Sequence, residues 1–442
     1  MMAPLTVIGG DAAAPLFKVF HSTLGKHLLI VPHSRIFDLP HDPDRDADAQ
    51  VLPPSLVAAL ADTATGEVPL DHVVAPAPQS ISLNVSSSCN LSCSYCYAAR
   101  GSFQGAQPDP MSWETARAAI DKLLCGAERF SPVTVGFLGG EPFVNRSLIH
   151  RAVEYAAEQG DNLGLDVRFS VTTNGTLLNE EDVELMRTHR FAVTVSVDGG
   201  ERIQNLQRPA FGGSRGSYER MVGATRPLLA DPGLALVAAR ATVARGEFNL
   251  QERFEAVLSI GFREMGFAPL RSARADGGAL RDEDWPEYLA EMIALAKAEL
   301  ERVYHGIPIR FSNLAVALKQ LHRGASSPYP CGAGGGYFSV AANGDWYACH
   351  RAIGSPAFQL GTNDALDLNR RAGFLAARHV HSQPACQRCW ARYLCSGGCH
   401  QEASNRNDSS CGFIRGWLEF CLAAYCELSA NRPEVLDLGN AA

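Results

Sequence analysis

Basic charge is in short supply: 39 Lys and Arg stand against 47 Asp and Glu, a net charge of −8. That excludes a chain-wide positive field of the kind that draws in a nucleic-acid backbone or an anionic membrane, so neither is an expected partner. Long apolar runs are missing as well. No stretch approaches the roughly 18 uninterrupted apolar residues of a membrane span. The opening MMAPLTVIGGDAAAP lacks the basic n-region of a signal peptide, and the expected location is cytoplasmic. No internal repeat is found beyond an alternation of strand and helix patterns.

What the chain has is length and cysteine. At roughly 150 residues per domain, 442 residues suggest two to three domains. A composition of 46% hydrophobic and 19% charged residues is that of an ordinary globular protein. Thirteen cysteines are unusual. A reducing cytoplasm forbids a stable disulfide framework, so metal ligation or redox chemistry is the expected use. Cys89, Cys93 and Cys96 lie together, Cys125 stands alone, and the other nine fall between Cys331 and Cys426. Two cysteine sites are therefore expected in two regions, with Cys125, in the helical DKLLCG, a small core residue.

Residues 17 to 38 read as two or three short strands, LFKVF, KHLLIV and RIFDL, followed by a helical LPPSLVAALAD. This N-terminal β-plus-helix unit is placed at 1–75, and the Pro- and Ala-rich DHVVAPAPQS is a junction. From Ile81 onward the runs ISLNV, VTVGFL, VRFSVTT, FAVTVSV, LALVAARATV and FREMGF alternate with five helical patterns. Six strands alternating with helices imply right-handed βα repeats and a parallel sheet. The expected fold class is α/β: a partial (β/α)6 barrel at 81–275, with chemistry at the C-terminal ends of its strands. Bridging helices fill 276–330, and a Cys-rich domain spans 331–442, closed by the amphipathic GFIRGWLEFCLAAYCELSA.

Cys89, Cys93 and Cys96 form a CxxxCxxC loop just after a strand. Three thiolates on one loop can ligate three irons of a 4Fe-4S cubane and leave the fourth open. Structural zinc is the alternative, but it takes four protein ligands, and no fourth Cys or His lies near at finger spacing. The spacing, with Tyr95 just before the third cysteine, resembles the signature of the radical S-adenosylmethionine (SAM) superfamily over residues 81 to 270. The resemblance implies that SAM chelates the open iron and that one electron cleaves it to a 5′-deoxyadenosyl radical. Gly139, Gly140, Glu141 and Pro142 resemble the GGEP motif, whose carboxylate would accept bonds from SAM's ammonium. Thr173 and Asn174 of TNG, with Ser196 and Asp198 of S-x-D-G, resemble ribose- and carboxylate-side contacts. Arg208 and Arg240 stand where such enzymes place a SAM-carboxylate or substrate-binding arginine.

The later cysteines resemble the seven-cysteine SPASM domain. The resemblance implies that Cys331, Cys349 and Cys399 serve auxiliary cluster I and that Cys386, Cys389, Cys395 and Cys411 serve auxiliary cluster II, giving three 4Fe-4S clusters in all. No cysteine lies between Cys125 and Cys331, so an upstream fourth ligand for cluster I is missing. Cys421 or Cys426 would substitute, or both are buried cysteines of an apolar helix face. With neither bound, the open iron would take a substrate thiolate. Anaerobic sulfatase maturases, which the fold resembles, carry an aspartate after the second SPASM cysteine. Here His350 follows Cys349, either as a catalytic base, since imidazole titrates near neutrality, or as a hydrogen-bonded loop residue. Gln204 and Asn205 stand where many relatives have His and Asp.

The segment from Tyr329 to Arg351 resembles the thioether-forming maturases of quinohemoprotein amine dehydrogenase. The function implied is oxidative crosslinking, Cys sulfur to carbon, in a ribosomally synthesised Cys-containing precursor peptide or small protein, with flavodoxin or ferredoxin as electron donor. Alternatives are a carbon–carbon cyclophane-forming maturase, a sulfatase-maturase-like formylglycine former, and, in another class, a non-catalytic Fe-S carrier or a zinc-stabilised binding module. The N-terminal strands are either a leader-recognition unit, to which a peptide adds as an edge strand, or a cap over the barrel mouth.

Overall fold

The computed structural model describes residues 15–39, 76–103, 110–212, 216–231, 233–234, 237–246, 248–271, 278–324, 326–403 and 406–436. The chain divides into two compact units. One is Met1–Val73, Trp285–Cys331 and Ala376–Ala442; the other is Val74–Asp284 and Gly332–Leu375.

In the first unit β1 (Phe17–Ser22), β2 (Gly25–Ile30) and β3 (Arg35–Asp38) form an antiparallel three-stranded sheet. The three strands fall on the short strands read from the sequence. The expected helix LPPSLVAALAD lies outside the described residues.

The second unit is built on β4 (Ser80–Ser86), β5 (Pro132–Gly139), β6 (Asp166–Thr173), β7 (Phe191–Ser196), β8 (Val237–Val243) and β9 (Glu264–Pro269). They are all parallel, in sequential order. Between them run α1 (Trp113–Cys125), α2 (Arg146–Leu163), α3 (Glu180–Thr188), α4 (Glu201–Gln207), α5 (Ser217–Ala230) and α6 (Leu250–Ile260). Local sequence explains their ends. Ser112 caps α1 by accepting from Thr115 N at 3.1 Å, Asn179 and Asp182 form a capping box on α3, and Gly164 ends α2 at φ 68°.

Sequential order puts every right-handed crossover on the same face of the sheet, so the other face is left without crossover helices. Side-chain alternation follows. In β8, Val237, Ala239, Ala241 and Val243 are buried, whereas Arg240 is exposed. The helix-free face carries small polar residues: Ser82, Gly136 and Ser170 lie side by side across three strands.

All six expected strands are present, and the sheet is wider than expected. Gly332–Leu375 adds β10 (Tyr337–Val340), β11 (Asp345–Tyr347) and β12 (Gln359–Thr362), giving nine strands with β10 parallel to β4. The expected Cys-rich domain at 331–442 is thus divided, its first part completing the sheet. These strands are three or four residues long, too short for a periodicity to register, although Asn343-Gly344 between β10 and β11 is a hairpin signal. Then come α9 (Leu368–Arg378), after α7 (Trp285–Tyr304) and α8 (Ser312–His322) earlier in the chain, followed by α10 (Pro384–Gln387), α11 (Arg392–Cys395) and α12 (Asp408–Asn431). In the first unit α12 packs Phe413 against Trp285 and Tyr288, with ring centroids 5.4 and 5.1 Å apart. Among the described residues no helix is long and apolar enough to cross a membrane.

Candidate active site at the C-terminal end of the sheet

The loop that carries Cys89, Cys93 and Cys96 leaves β4 and is pinned on two sides. On one side Gly140 N donates to Ser86 O at 2.8 Å and Glu141 N to Ser88 O at 2.9 Å. This approach requires glycine: a Cβ at Gly140 would stand 2.2 Å from Ser88 O and 2.5 Å from Arg100 O, and one at Gly139, where φ is 153°, 2.5 Å from Ser86 O. The glycines therefore fit the chain's own backbone against the cysteine loop. On the other side Ser92 N donates to Pro209 O at 2.8 Å, Ser94 N to Gln207 O at 3.2 Å and Phe211 N to Asn90 O at 2.9 Å. The 207–211 segment, apart from Arg208, was not singled out from the sequence. It has no periodicity, and only its pairing reveals the role.

Glu141 is fully buried and joins two motifs. Its carboxylate accepts from Thr173 Oγ1 at 2.7 Å, Asn174 N at 2.7 Å and Phe143 N at 3.2 Å. Burial pushes its carboxyl above the usual range, and the three donors pull it part of the way back. Glu141 thereby ties the turn after β5 to the Thr173-Asn174 turn after β6. Pro142 opens the short helical turn that follows. Glu141→Ala is expected to lower the unfolding free energy by about 3 kcal/mol, because it strands buried donors that bonded a charged group. Urea denaturation of the metal-free chain measures this, and a loss below about 1 kcal/mol would contradict the bracket role.

Asn174 continues the bracket, its Nδ2 donating to Asn90 Oδ1 at 2.9 Å and to Cys89 Sγ at 3.8 Å. Beyond β7, buried Asp198 accepts from the Tyr95 hydroxyl and from Thr242 N at 2.9 Å. Arg208, also buried, donates from Nη1 to the Tyr95 hydroxyl at 2.6 Å and lies 3.8 Å from the Asp198 carboxylate. Burial opposes the Arg208 charge, but Tyr95, Cys93 and Asp198 outweigh it and hold the guanidinium charged. Gln204 accepts from Asp198 N at 2.9 Å and Asn205 from Tyr218 N at 2.9 Å, so both are ties of α4 to its surroundings. Ser196 and Arg240 are paired across β7 and β8 on the helix-free face, with Arg240 exposed there.

Two of the thiols, Cys89 and Cys93, sit where a bare thiolate is disfavoured. Burial pushes Cys89 up to about 12; the Leu91 N–H pulls it down while Glu141, Cys93 and Cys96 push further. Burial raises Cys93 too, with Arg208 opposing. A metal-bound thiolate escapes that penalty, since the metal supplies the compensating charge. Three thiols on one loop fit a cubane that takes three protein ligands. Among the described residues no three His, Cys, Asp or Glu side chains converge at the spacing of a single metal ion. A cubane does not require that convergence, because each thiolate sits on its own iron.

Of the later cysteines, Cys386, Cys389, Cys395 and Cys411 lie within electrostatic reach of one another in the first unit. Cys331 and Cys399 belong to that unit, and Cys349 to the sheet unit. Cys421 and Cys426 fall on the buried face of α12 with Phe413 and Trp417, and burial raises the thiol of Cys426 to about 12. Cys125 is exposed rather than in the core. Ala116, Ile120, Leu123 and Leu124 make the buried face of α1, and position 125 turns away from it. His350 is half-buried, with Nδ1 bonded to the Tyr337 hydroxyl at 2.9 Å, which in turn bonds Ser82 Oγ at 2.7 Å. Burial and then Arg351 push it down to about 4, so the near-neutral titration expected of an imidazole does not apply.

Residues 83–228 match the Radical SAM superfamily. An uncharacterised protein of Methanocaldococcus jannaschii is 33% identical over 141 residues, which cover 32% of this chain and 46% of that protein; the chain thus spans less than half of that relative. The serine-type anaerobic sulfatase-maturating enzyme of Klebsiella aerogenes is 26% identical over 348 residues, 74% of this chain and 81% of that enzyme. Among solved structures, native anSMEcpe with bound AdoMet matches with a TM-score of 0.66 at 19% identity, over 80% of this chain and 100% of that one. Streptococcus suis SuiB bound to S-adenosylmethionine matches at 0.52 and 13%, over 90% and 98%. At these identities what the solved structures share with this chain is the fold.

Proposed function

We propose, from the match of residues 83–228 to the Radical SAM superfamily, that this chain is a radical SAM enzyme that oxidatively modifies a ribosomally made peptide or small protein. The observation that carries the reading is the three-thiol loop held by the Gly140–Ser86 and Glu141–Ser88 hydrogen bonds beside a helix-free sheet face. Bound there, SAM and a 4Fe-4S cluster supply hydrogen-atom abstraction from an unactivated carbon. Cys89, Cys93 and Cys96 hold the cluster. Glu141 and Thr173 fix the loops around it, and Asp198, Tyr95 and Arg208 set the charge beside Cys93. Arg240 and Ser196 offer a cation and a hydroxyl to a ligand carboxylate. Cys386, Cys389, Cys395 and Cys411 hold an auxiliary cluster, with flavodoxin or ferredoxin as the electron source.

The finer reading is thioether formation between a substrate Cys and a carbon. It draws on the resemblance of the Tyr329–Arg351 segment, while the precursor peptide carried by a solved structure of SuiB supports a peptide substrate for any of these chemistries. Formylglycine formation draws equal support from the similarity to the Klebsiella aerogenes enzyme over 74% of this chain. The discriminating experiment is anaerobic reaction with SAM, dithionite and a Cys-containing precursor peptide, followed by mass spectrometry. A thioether product is lighter by two hydrogens per link and resists iodoacetamide at the linked Cys. A product that loses two hydrogens and keeps an alkylatable Cys is the carbon–carbon alternative. Capture by a hydrazide reveals an aldehyde and selects the sulfatase-maturase reading.

A further inference from the structure

We propose that Arg406 is a redox-tuning residue that raises the reduction potential of the cluster held by Cys386, Cys389, Cys395 and Cys411. The inference rests on the reading that these four thiols hold an iron–sulfur cluster. Arg406 Nη1 donates to Cys386 Sγ at 2.9 Å. Nη2 donates to Gln383 Oε1 at 2.9 Å and to the carbonyl of Gly397.

Both anchors flank ligands: Gln383 precedes α10, which carries Cys386, and Gly397 follows Cys395. Gln383 is itself held, its Nε2 donating to Arg378 O at 2.8 Å. The planar fork is thus held by three acceptors, with one arm on the Cys386 sulfur.

The remaining geometry points the same way. Arg406 acts electrostatically on Cys386, Cys395 and Cys411 alike, and Arg415 adds to it at Cys411. The hydrogen bonds of Arg406 end on a thiol, an amide and a carbonyl. Among the described residues no carboxylate completes an ion pair with it. A half-buried guanidinium given only neutral acceptors, and acting on three of the four thiols, suits an anionic cluster. Reduction adds one negative charge, and an N–H donated to a ligand sulfur from a cation stabilises the reduced form more than the oxidised one. Arg406 bonds the sulfur without occupying an iron, so it acts by tuning rather than ligation.

The test is a potentiometric titration, read by electron paramagnetic resonance, of the anaerobically reconstituted full chain. It follows the signal that disappears in Cys386→Ala. Arg406→Gln is expected to cut the reduced-to-oxidised ratio at fixed potential about tenfold, a negative shift of about 59 mV for a one-electron couple. Iron content and the signal that depends on Cys89, Cys93 and Cys96 are expected to stay unchanged. Arg406→Lys, which keeps the charge and loses the fork, is expected to shift less.

A wild-type midpoint in Arg406→Gln overturns the proposal. Loss of iron from both variants with wild-type circular dichroism also overturns it, since Arg406 would then serve assembly. If Cys386→Ala removes neither iron nor signal, the cluster reading itself fails, and this proposal falls with it.

Discussion

The Cys89→Ala, Cys93→Ala, Cys96→Ala triple variant forms no detectable 5′-deoxyadenosine from SAM under dithionite, and it loses about four irons per chain. The expectation comes from the division of labour in the loop. Its path is set by backbone bonds, Ser92 N to Pro209 O at 2.8 Å and Glu141 N to Ser88 O at 2.9 Å, so removing the sulfurs leaves the fold standing. The thermal midpoint of the metal-free chain should therefore move little. Signals that depend on Cys386 should persist, because that residue belongs to the other compact unit. Retained SAM cleavage in the triple variant would mean that the radical chemistry starts elsewhere.

Gly140→Ala should be nearly as damaging, by a different route. The added Cβ meets backbone oxygens, Ser88 O at 2.2 Å and Arg100 O at 2.5 Å, and no rotamer relieves a clash with the main chain on both sides. The cysteine loop must shift off β5, which breaks the Gly140–Ser86 and Glu141–Ser88 bonds. A loss of about 3 kcal/mol in stability is expected, together with failure to retain the SAM-binding cluster. Gly223→Ala in α5, where nothing lies within 4 Å of the new Cβ, serves as control. It is expected to be neutral or to stabilise by about 0.5–1 kcal/mol, as Ala replaces Gly inside a helix. If Gly140→Ala binds iron and cleaves SAM as well as that control, the close approach is not what forms the site.

Much of this was legible locally. The six parallel strands appear as short runs rich in Val, Phe and Thr, and the helices between them as amphipathic segments, because period and propensity are properties of neighbouring residues. The thiol spacing of Cys89, Cys93 and Cys96 is likewise written in the chain, as is the order in which GGEP, TNG and S-x-D-G follow successive strands. Pattern alone misplaced Cys125, since one helical step of about 100° separates a buried face from an exposed edge.

What only the tertiary structure decided are the pairings between distant residues. Ser339 lies in register with Ser82, which extends the sheet to nine strands. Glu141 turns its carboxylate to Thr173 and Asn174, and Arg406 reaches back to Cys386. His350 is half-buried, bonded to Tyr337 and pushed down to about 4, although its residue type suggests a neutral-range titration. By itself the sequence determined which groups the chain carries, and the six parallel strands with the order in which they and the motifs follow one another. Partner, burial and charge state depend on which distant segments pack together. A single linear pattern carries no trace of that, because desolvation and hydrogen bonding act through space rather than along the chain.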